Sequence, residues 1–143
     1  VLVGVDRNTR SRLPKNIVGI GRTENIHQLA ELYSAATVFV NPTWQDNYPT
    51  VNLEAIACGL VPVIADSPKS AAKAFALDDK SLFKNKDAED MARKIDYWVS
   101  RPDERADYSR KYLDSGTQFE QQSCMRQMEQ MLFDAAALVS DPA

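Results

Sequence analysis

The sequence predicts a Rossmann-like α/β fold, in which a parallel sheet is covered by helices on both faces. Three observations predict it. Short, continuous apolar runs rich in β-branched residues alternate along the chain with segments that have one apolar helical face. Strands that are apolar throughout are typical of a parallel sheet buried on both sides, and a helix between two strands supplies the crossover. The length of 143 residues is enough for one domain with its own core.

Each apolar run is predicted to be one strand. The strands are expected over residues 1–5, 17–21, 37–40, 61–65 and 81–83. The polar, basic segment 7–16 is expected to be a connector. Because a buried strand is predicted at the very first residue, the sequence is interpreted as part of a longer chain.

Helical spacing of apolar residues predicts the elements between and after these strands. Helices are expected over residues 25–36, 50–58, 87–99, 103–113 and 119–139, with a helical turn at 70–75. Thr23 and Asp87 are placed to cap two of the helices, and Gly59 is placed to end another. Pro102 separates the helix at 87–99 from the next one.

Composition and charge exclude several classes of protein. Lysine and arginine number 17 against 20 aspartate and glutamate residues, a net charge of −3, so the basic excess that nucleic-acid binding requires is absent. No apolar run reaches the roughly 18 residues of a membrane-spanning helix, and there is no basic-then-apolar signal sequence. Two cysteines, Cys58 and Cys124, are too few for a disulfide framework and fit a reducing compartment. We therefore expect a cytoplasmic protein that binds no nucleic acid.

The loop after the third predicted strand carries the residues best suited to chemistry. Ligands of parallel α/β folds bind at the carboxyl ends of the strands, where this loop lies. A helix beginning near Thr50 directs its free N–H groups and its positive dipole end at the loop, which suits a phosphate or pyrophosphate. Asp46 on the loop and Glu54 one turn into the helix offer acceptor oxygens for ribose or hexose hydroxyls.

At these residues the sequence resembles the C-terminal, nucleotide-sugar-binding half of retaining glycosyltransferases of the GT-B fold, glycosyltransferase family 4. The family's two acids separated by seven residues correspond to Asp46 and Glu54, followed by Ala57-Cys58-Gly59 and the strand at 61–65. Residues 21–36 match the preceding block. Two departures are visible: Asp46 replaces a glutamate, and the segment between Gly59 and the next proline is one residue longer. Residues 17–59 are more similar to enzymes of cell-surface polysaccharide assembly, and the chain beyond them to lipid and sterol glucosyltransferases.

The resemblance implies a role for each position of the motif. Asp46, the catalytic candidate, would lie beside the hydroxyls of the donor hexose, and Glu54 would hold the ribose hydroxyls of a UDP moiety. Gly21 and Arg22 would receive the nucleobase. Contacts to the hexose and pyrophosphate would come from backbone amides around Asn47, Tyr48, Pro49, Thr50 and Val51. No cofactor and no metal are expected besides the substrate, a nucleotide sugar with UDP as its nucleotide.

The resemblance also implies a larger, two-domain enzyme. It would transfer a hexose to a hydroxyl of a glycan or lipid acceptor with retention of anomeric configuration. The arginine and lysine that neutralise the diphosphate, and an N-terminal acceptor-binding domain, would precede residue 1. The isolated chain is therefore expected to be inactive. Any contact with the inner face of a membrane would be made by the missing half.

Alternatives to a glycosyltransferase stay open at this point, among them a non-enzymatic α/β nucleotide-binding or regulatory module. A receiver domain would need acids that Asp6 and Asn41 do not provide convincingly, and a flavin module would need a better phosphate loop than residues 7–12. An epimerase of the same fold would place a histidine among acids, whereas His27 is the only histidine. A regulatory half whose partner supplies the chemistry predicts the same nucleotide binding without turnover.

Overall fold

The structure, a computed structural model, describes residues 1–139, and it describes side chains as far as residue 134. The chain divides into two compact units, Val1–Ala36 and Thr37–Ala143.

The first unit contains two short parallel strands and two helices. They are β1 (Leu2–Val3), α1 (Arg7–Arg10), β2 (Gly19–Ile20) and α2 (Ile26–Ser34). Leu2 is opposite Gly19 in the β1–β2 pair. The predicted buried strand over residues 1–5 is wrong in extent and in burial, because β1 has two residues and Val1 is 78% exposed. A two-stranded ribbon has too little surface within this unit to cover both faces of a strand.

Local side-chain caps explain two further differences in the first unit. The segment predicted as a connector contains α1, because Asp6 Oδ1 accepts the N–H groups of Asn8 and Thr9 at 2.8 and 2.9 Å. The cap of α2 is Asn25 instead of Thr23, since Asn25 Oδ1 accepts the N–H of Gln28 at 3.0 Å. The prediction of Thr23 as the cap was therefore wrong by two positions.

The second unit is built on a three-stranded parallel sheet in the order β3–β4–β5. Its elements are β3 (Phe39–Asn41), α3 (Thr50–Ala57), β4 (Pro62–Asp66), β5 (Leu82–Lys84), α4 (Ala88–Val99), α5 (Pro102–Gly116) and α6 (Gln121–Val139). Short 3-10 turns occupy Ala71–Phe75, Asp79–Ser81 and Thr117–Phe119. The register places Asn41 beside Ile64 and Ile64 beside Leu82. The predicted α/β class with parallel strands and flanking helices is confirmed.

The core of the second unit surrounds the central strand. Val63, Ile64 and Ala65 of β4 are fully buried, as are Trp98 of α4 and Tyr112 of α5. Burying large apolar and aromatic side chains on both sides of one strand is what holds a parallel sheet between helices.

The helix ends of the second unit follow their sequence signals. Asp87 caps α4 as predicted, accepting the N–H of Asp90 at 2.9 Å. Gly59 follows α3 with φ +76°, a conformation that favours glycine. Pro102 is the first residue of α5, where its missing N–H does no harm. No helix among residues 1–139 combines the length and the apolar character needed to span a bilayer.

Candidate functional site

A buried pair of amides fixes both ends of the loop that follows β3. Asn41 ends β3 and Asn52 lies in α3; they are 3% and 0% exposed. Nδ2 of Asn41 donates to Oδ1 of Asn52 at 2.8 Å, and the N–H of Thr43 donates to Oδ1 of Asn41 at 3.0 Å. Nδ2 of Asn52 reaches the carbonyl of Ala72, 3.4 Å away. Satisfied amides in a dry interior make the loop's start and end rigid.

The middle of the loop is held through the backbone of Asp46. Its N–H donates to the carbonyl of Lys69 at 3.4 Å, and its carbonyl accepts the N–H of Ala71 at 3.0 Å. The side chain is half-buried, and Oδ1 accepts the N–H of Tyr48 at 3.1 Å. This Asx turn keeps the carboxylate inside the loop while leaving Oδ2 available to a ligand hydroxyl.

No side chain described in the structure caps the amino end of α3. Pro49, which is buried, occupies the cap position and makes no side-chain hydrogen bond. The N–H of Asn52 donates to the backbone carbonyl of Pro49 at 3.0 Å. Of the first three N–H groups of α3, those of Thr50 and Val51 therefore stay the predicted donors to a bound anion. The partial positive charge of the helix dipole at such an uncapped amino end favours binding of an anion.

Aromatic packing holds the Tyr48 end of the loop. The ring of Tyr48 is 51% exposed and lies edge-on to Phe75, with centroids 5.3 Å apart, and 6.5 Å from Phe119. Asn47 and Val51 are exposed beside it. The predicted contact residues Asn47, Tyr48, Thr50 and Val51 are therefore at the surface of one loop–helix junction, whereas Pro49 is buried and packs inside it.

Glu54 lies one turn into α3, on its exposed side. Cys58 follows it by one helical turn. Burial raises the pKa of the Cys58 thiol, and the negative charge of Glu54 raises it further. A raised pKa favours the neutral thiol over the reactive thiolate at pH 7.

Gly21 and Arg22 follow β2 in the first unit. Gly21 is half-buried, and its carbonyl accepts the N–H of Gly4 at 3.3 Å. Arg22 is exposed. Their assignment to the nucleobase stays a prediction. Among residues 1–134 no group of three histidine, cysteine or acidic side chains is arranged to hold a metal ion.

Two structural features of the loop were not predicted from the sequence. The first is the Asn41–Asn52 pair; its signal is that Asn52 shares the buried helical face with Ala55 and Ile56. The second is Ser67, which is 1% exposed and donates through Oγ to the carbonyl of Trp44 at 2.5 Å. Serine in a loop gives no sequence signal of such a contact.

The sequence and the structure of this chain are both similar to those of glycosyltransferases. The family model of glycosyl transferases group 1 matches residues 8–112. The structure is similar to the crystal structure of the catalytic domain of cholesterol-alpha-glucosyltransferase from Helicobacter pylori, with 35% sequence identity and a TM-score of 0.68. The match covers 73% of this chain and 65% of that one, so this chain spans less than two thirds of that catalytic domain. No curated protein matches the sequence.

Proposed function

This chain belongs to the glycosyl transferases group 1 family, and we propose that it is the nucleotide-sugar-binding domain of a retaining hexosyltransferase of glycosyltransferase family 4. Family membership and the likeness to a glucosyltransferase catalytic domain of GT-B type support sugar transfer as the chemistry. The retaining course, the UDP-linked donor and the acceptor are parts of the proposal.

One observation carries the proposal. The loop from residue 42 to residue 49 is held by hydrogen bonds at its two ends and in its middle. It carries the Asp46 carboxylate four positions before the start of α3, and no side chain caps that helix end. A carboxylate next to a positive helix end matches a ligand that has hydroxyls beside a diphosphate. A nucleotide sugar is such a ligand.

The proposed roles follow from the chemistry of these groups. The first turn of α3 would stabilise the charge that develops on the leaving diphosphate, and preorganised dipoles of this kind are often the largest catalytic contribution. Asp46 would accept hydrogen bonds from the hexose hydroxyls and orient the sugar. Glu54 would bind the ribose, and Gly21 with Arg22 the base.

The similar solved structure is that of a cholesterol-alpha-glucosyltransferase. On this likeness we propose a class of acceptor for the present chain. The acceptor group is a hydroxyl of a lipid or a glycan, bound by an N-terminal domain of the complete enzyme. These 143 residues by themselves are proposed to bind donor without measurable transfer.

Calorimetry with UDP, ADP and GDP tests the proposal. We expect UDP to bind best, and Glu54→Gln to weaken UDP by about tenfold, because a charge-assisted hydrogen bond to a hydroxyl is replaced by a neutral one. Glu89→Gln, which removes an exposed acid from α4, is the matched control and should leave the affinity unchanged. Equal effects of the two variants, or no nucleotide binding by the folded chain, would contradict the proposal.

A second comparison separates the two acids. Asp46→Asn should weaken UDP-glucose more than UDP, since Asp46 is assigned to the hexose, whereas Glu54→Gln should weaken both equally. If UDP binds but a complete enzyme that contains this chain transfers no sugar to any lipid or glycan, the non-enzymatic nucleotide-binding module becomes the better description.

A further inference from the structure

The carboxyl ends of all three strands of the β3–β4–β5 sheet contribute to one cluster outside the proposed donor contacts. Trp44 follows β3, Lys69 follows β4 and Lys86 follows β5. Nζ of Lys69 is 5.6 Å from the centre of the Trp44 indole, and Nζ of Lys86 is 4.9 Å from it. Both ammonium groups therefore lie close to the same ring.

As far as the structure describes side chains, the two positive charges of this cluster have no carboxylate partner. No ion pair among the described residues involves Lys69 or Lys86, and the nearby Asp66 is paired with Lys73 at 3.3 Å. Trp44 is 47% exposed, so the cluster is open to ligands. A cation above an indole face is attracted to the ring, but two ammonium groups at one ring also repel each other.

A second cluster in the same unit has a similar composition and a different charge balance. Nζ of Lys80 and of Lys111 are 4.9 and 4.6 Å from the ring centre of Tyr108. There the chain supplies its own anions. Lys80 donates to Glu104 at 2.7 Å, and the Tyr108 hydroxyl donates to Asp78. The Trp44 cluster is the same arrangement without the internal anions.

The backbone holds the Trp44 cluster in place. Ser67 fixes the carbonyl of Trp44, and the backbone bonds between Asp46 and residues 69 and 71 join the Trp44 and Lys69 segments. Lys86 has φ +64° in a turn closed by the N–H of Asp87 and the carbonyl of Lys84 at 3.0 Å. Glycine and asparagine adopt this left-handed backbone conformation at a lower energetic cost than lysine does. Residues with such backbone strain are concentrated at binding sites.

We propose that Trp44, Lys69 and Lys86 form a binding site for a phosphate-ester group, separate from the donor contacts of Asp46 and Glu54. A phosphomonoester carries up to two negative charges, which match the two ammonium groups, and the flexible lysine stems allow both to converge on it. The exposed edge of the indole would contact the apolar part of the ester. The ester would belong to an anionic lipid headgroup or to a soluble phosphate compound. The inference depends on the geometry of the second unit alone and does not require the proposed function.

The indole N–H signals in a ¹⁵N–¹H spectrum of the labelled chain give a direct test. The chain has two tryptophans, and Trp98 is fully buried, so its signal is an internal reference. Trp44→Phe assigns the signals. Glycerol 3-phosphate should shift the Trp44 signal to saturation, and glycerol should not. Lys69→Gln and Lys86→Gln should each weaken the affinity by about three- to fivefold, as loss of one exposed charge contact does.

Lys111→Gln is the matched control because it also removes an exposed lysine beside an aromatic ring. Vesicles that contain phosphatidic acid, whose headgroup is a phosphomonoester, are compared with pure phosphatidylcholine vesicles to distinguish the two sources. Lysine-dependent sedimentation with the former identifies a headgroup, and binding of glycerol 3-phosphate without sedimentation identifies a soluble ester. An unmoved Trp44 signal, an equal effect of Lys111→Gln, or displacement of glycerol 3-phosphate by UDP-glucose would overturn the proposal of a separate site.

Discussion

Asn41 and Asn52 are joined by a hydrogen bond of 2.8 Å inside the protein, although they are 11 positions apart and belong to a strand and a helix. Through this bond the last residue of β3 holds the buried face of α3. The same two side chains also contact the backbone at Thr43 and Ala72. Four segments around the Asp46 loop are thus connected by two amides, and the loop depends on them for its shape.

Asn52→Ala is expected to lower the free energy of unfolding by about 2 kcal/mol, because it leaves the Asn41 amide buried with an unsatisfied donor. Urea denaturation followed by circular dichroism measures this change. Gln45→Ala, at an exposed position of the same loop, is the control and should change stability by less than about 0.5 kcal/mol. Similar losses for the two variants would show that the amide pair does not stabilise the fold.

Tyr112→Phe removes one buried hydroxyl group and keeps the aromatic ring in place. The Tyr112 hydroxyl donates to Ser81 Oγ at 2.8 Å and accepts the N–H of Leu77 at 3.1 Å, and both Tyr112 and Ser81 are fully buried. We expect a loss of about 1–2 kcal/mol in the free energy of unfolding, since the buried Ser81 hydroxyl and the Leu77 N–H lose their partner. Tyr48→Phe, at a half-exposed ring, serves as the comparison in the same urea experiment. A neutral Tyr112→Phe would contradict the assigned role.

Local signals in the sequence predicted the elements that those signals control. The start of α3 at Thr50, the cap at Asp87 and the exit at Gly59 were predicted because each depends on residues adjacent in sequence. The predicted burial of residues 1–5 is wrong. An apolar run is buried only where other elements of the unit cover both of its faces, and the run itself does not determine this.

The candidate site was predictable in part for the same reason. The spacing of Asp46 and Glu54 is visible in the sequence, and the structure places one on a loop and the other on the following helix. The bonds between Ser67 and Trp44, and between the two asparagines, join residues distant in sequence. Such pairs are set by the register of neighbouring parallel strands, which a single sequence does not encode locally.

Gly59→Ala is expected to destabilise the chain by about 1–2 kcal/mol. The residue has φ +76°, and a Cβ there would lie 3.2 Å from Ser109 Oγ, which donates to the Gly59 carbonyl at 2.6 Å. Gly21→Ala is the matched control, because no atom lies within 4 Å of its Cβ position and its φ is not positive. Thermal and urea unfolding of both variants measure the difference, and a Gly59→Ala chain as stable as Gly21→Ala would refute the strain argument.

Stability at low pH should depend on Glu104. Its pKa lies below the ordinary value of about 4.3, first because Lys80 donates to it at 2.7 Å and next because the Tyr97 hydroxyl donates to it at 2.8 Å. A carboxyl group whose pKa is lower in the folded chain stabilises folding above its unfolded pKa, and this stabilisation is lost as the pH falls through the folded pKa. The wild-type chain should therefore lose stability progressively below about pH 4.3.

Glu104→Gln should weaken that acid dependence, because the group that takes up a proton on unfolding is gone. Urea midpoints measured from pH 7 to pH 3 for the wild type and the variant provide the check. The difference in midpoint should be largest at pH 7 and shrink towards pH 3. Glu129→Gln, an exposed substitution on α6, should follow the wild type throughout. A constant offset between Glu104→Gln and the wild type at every pH would mean that the Lys80–Glu104 contact does not contribute to stability through its charge.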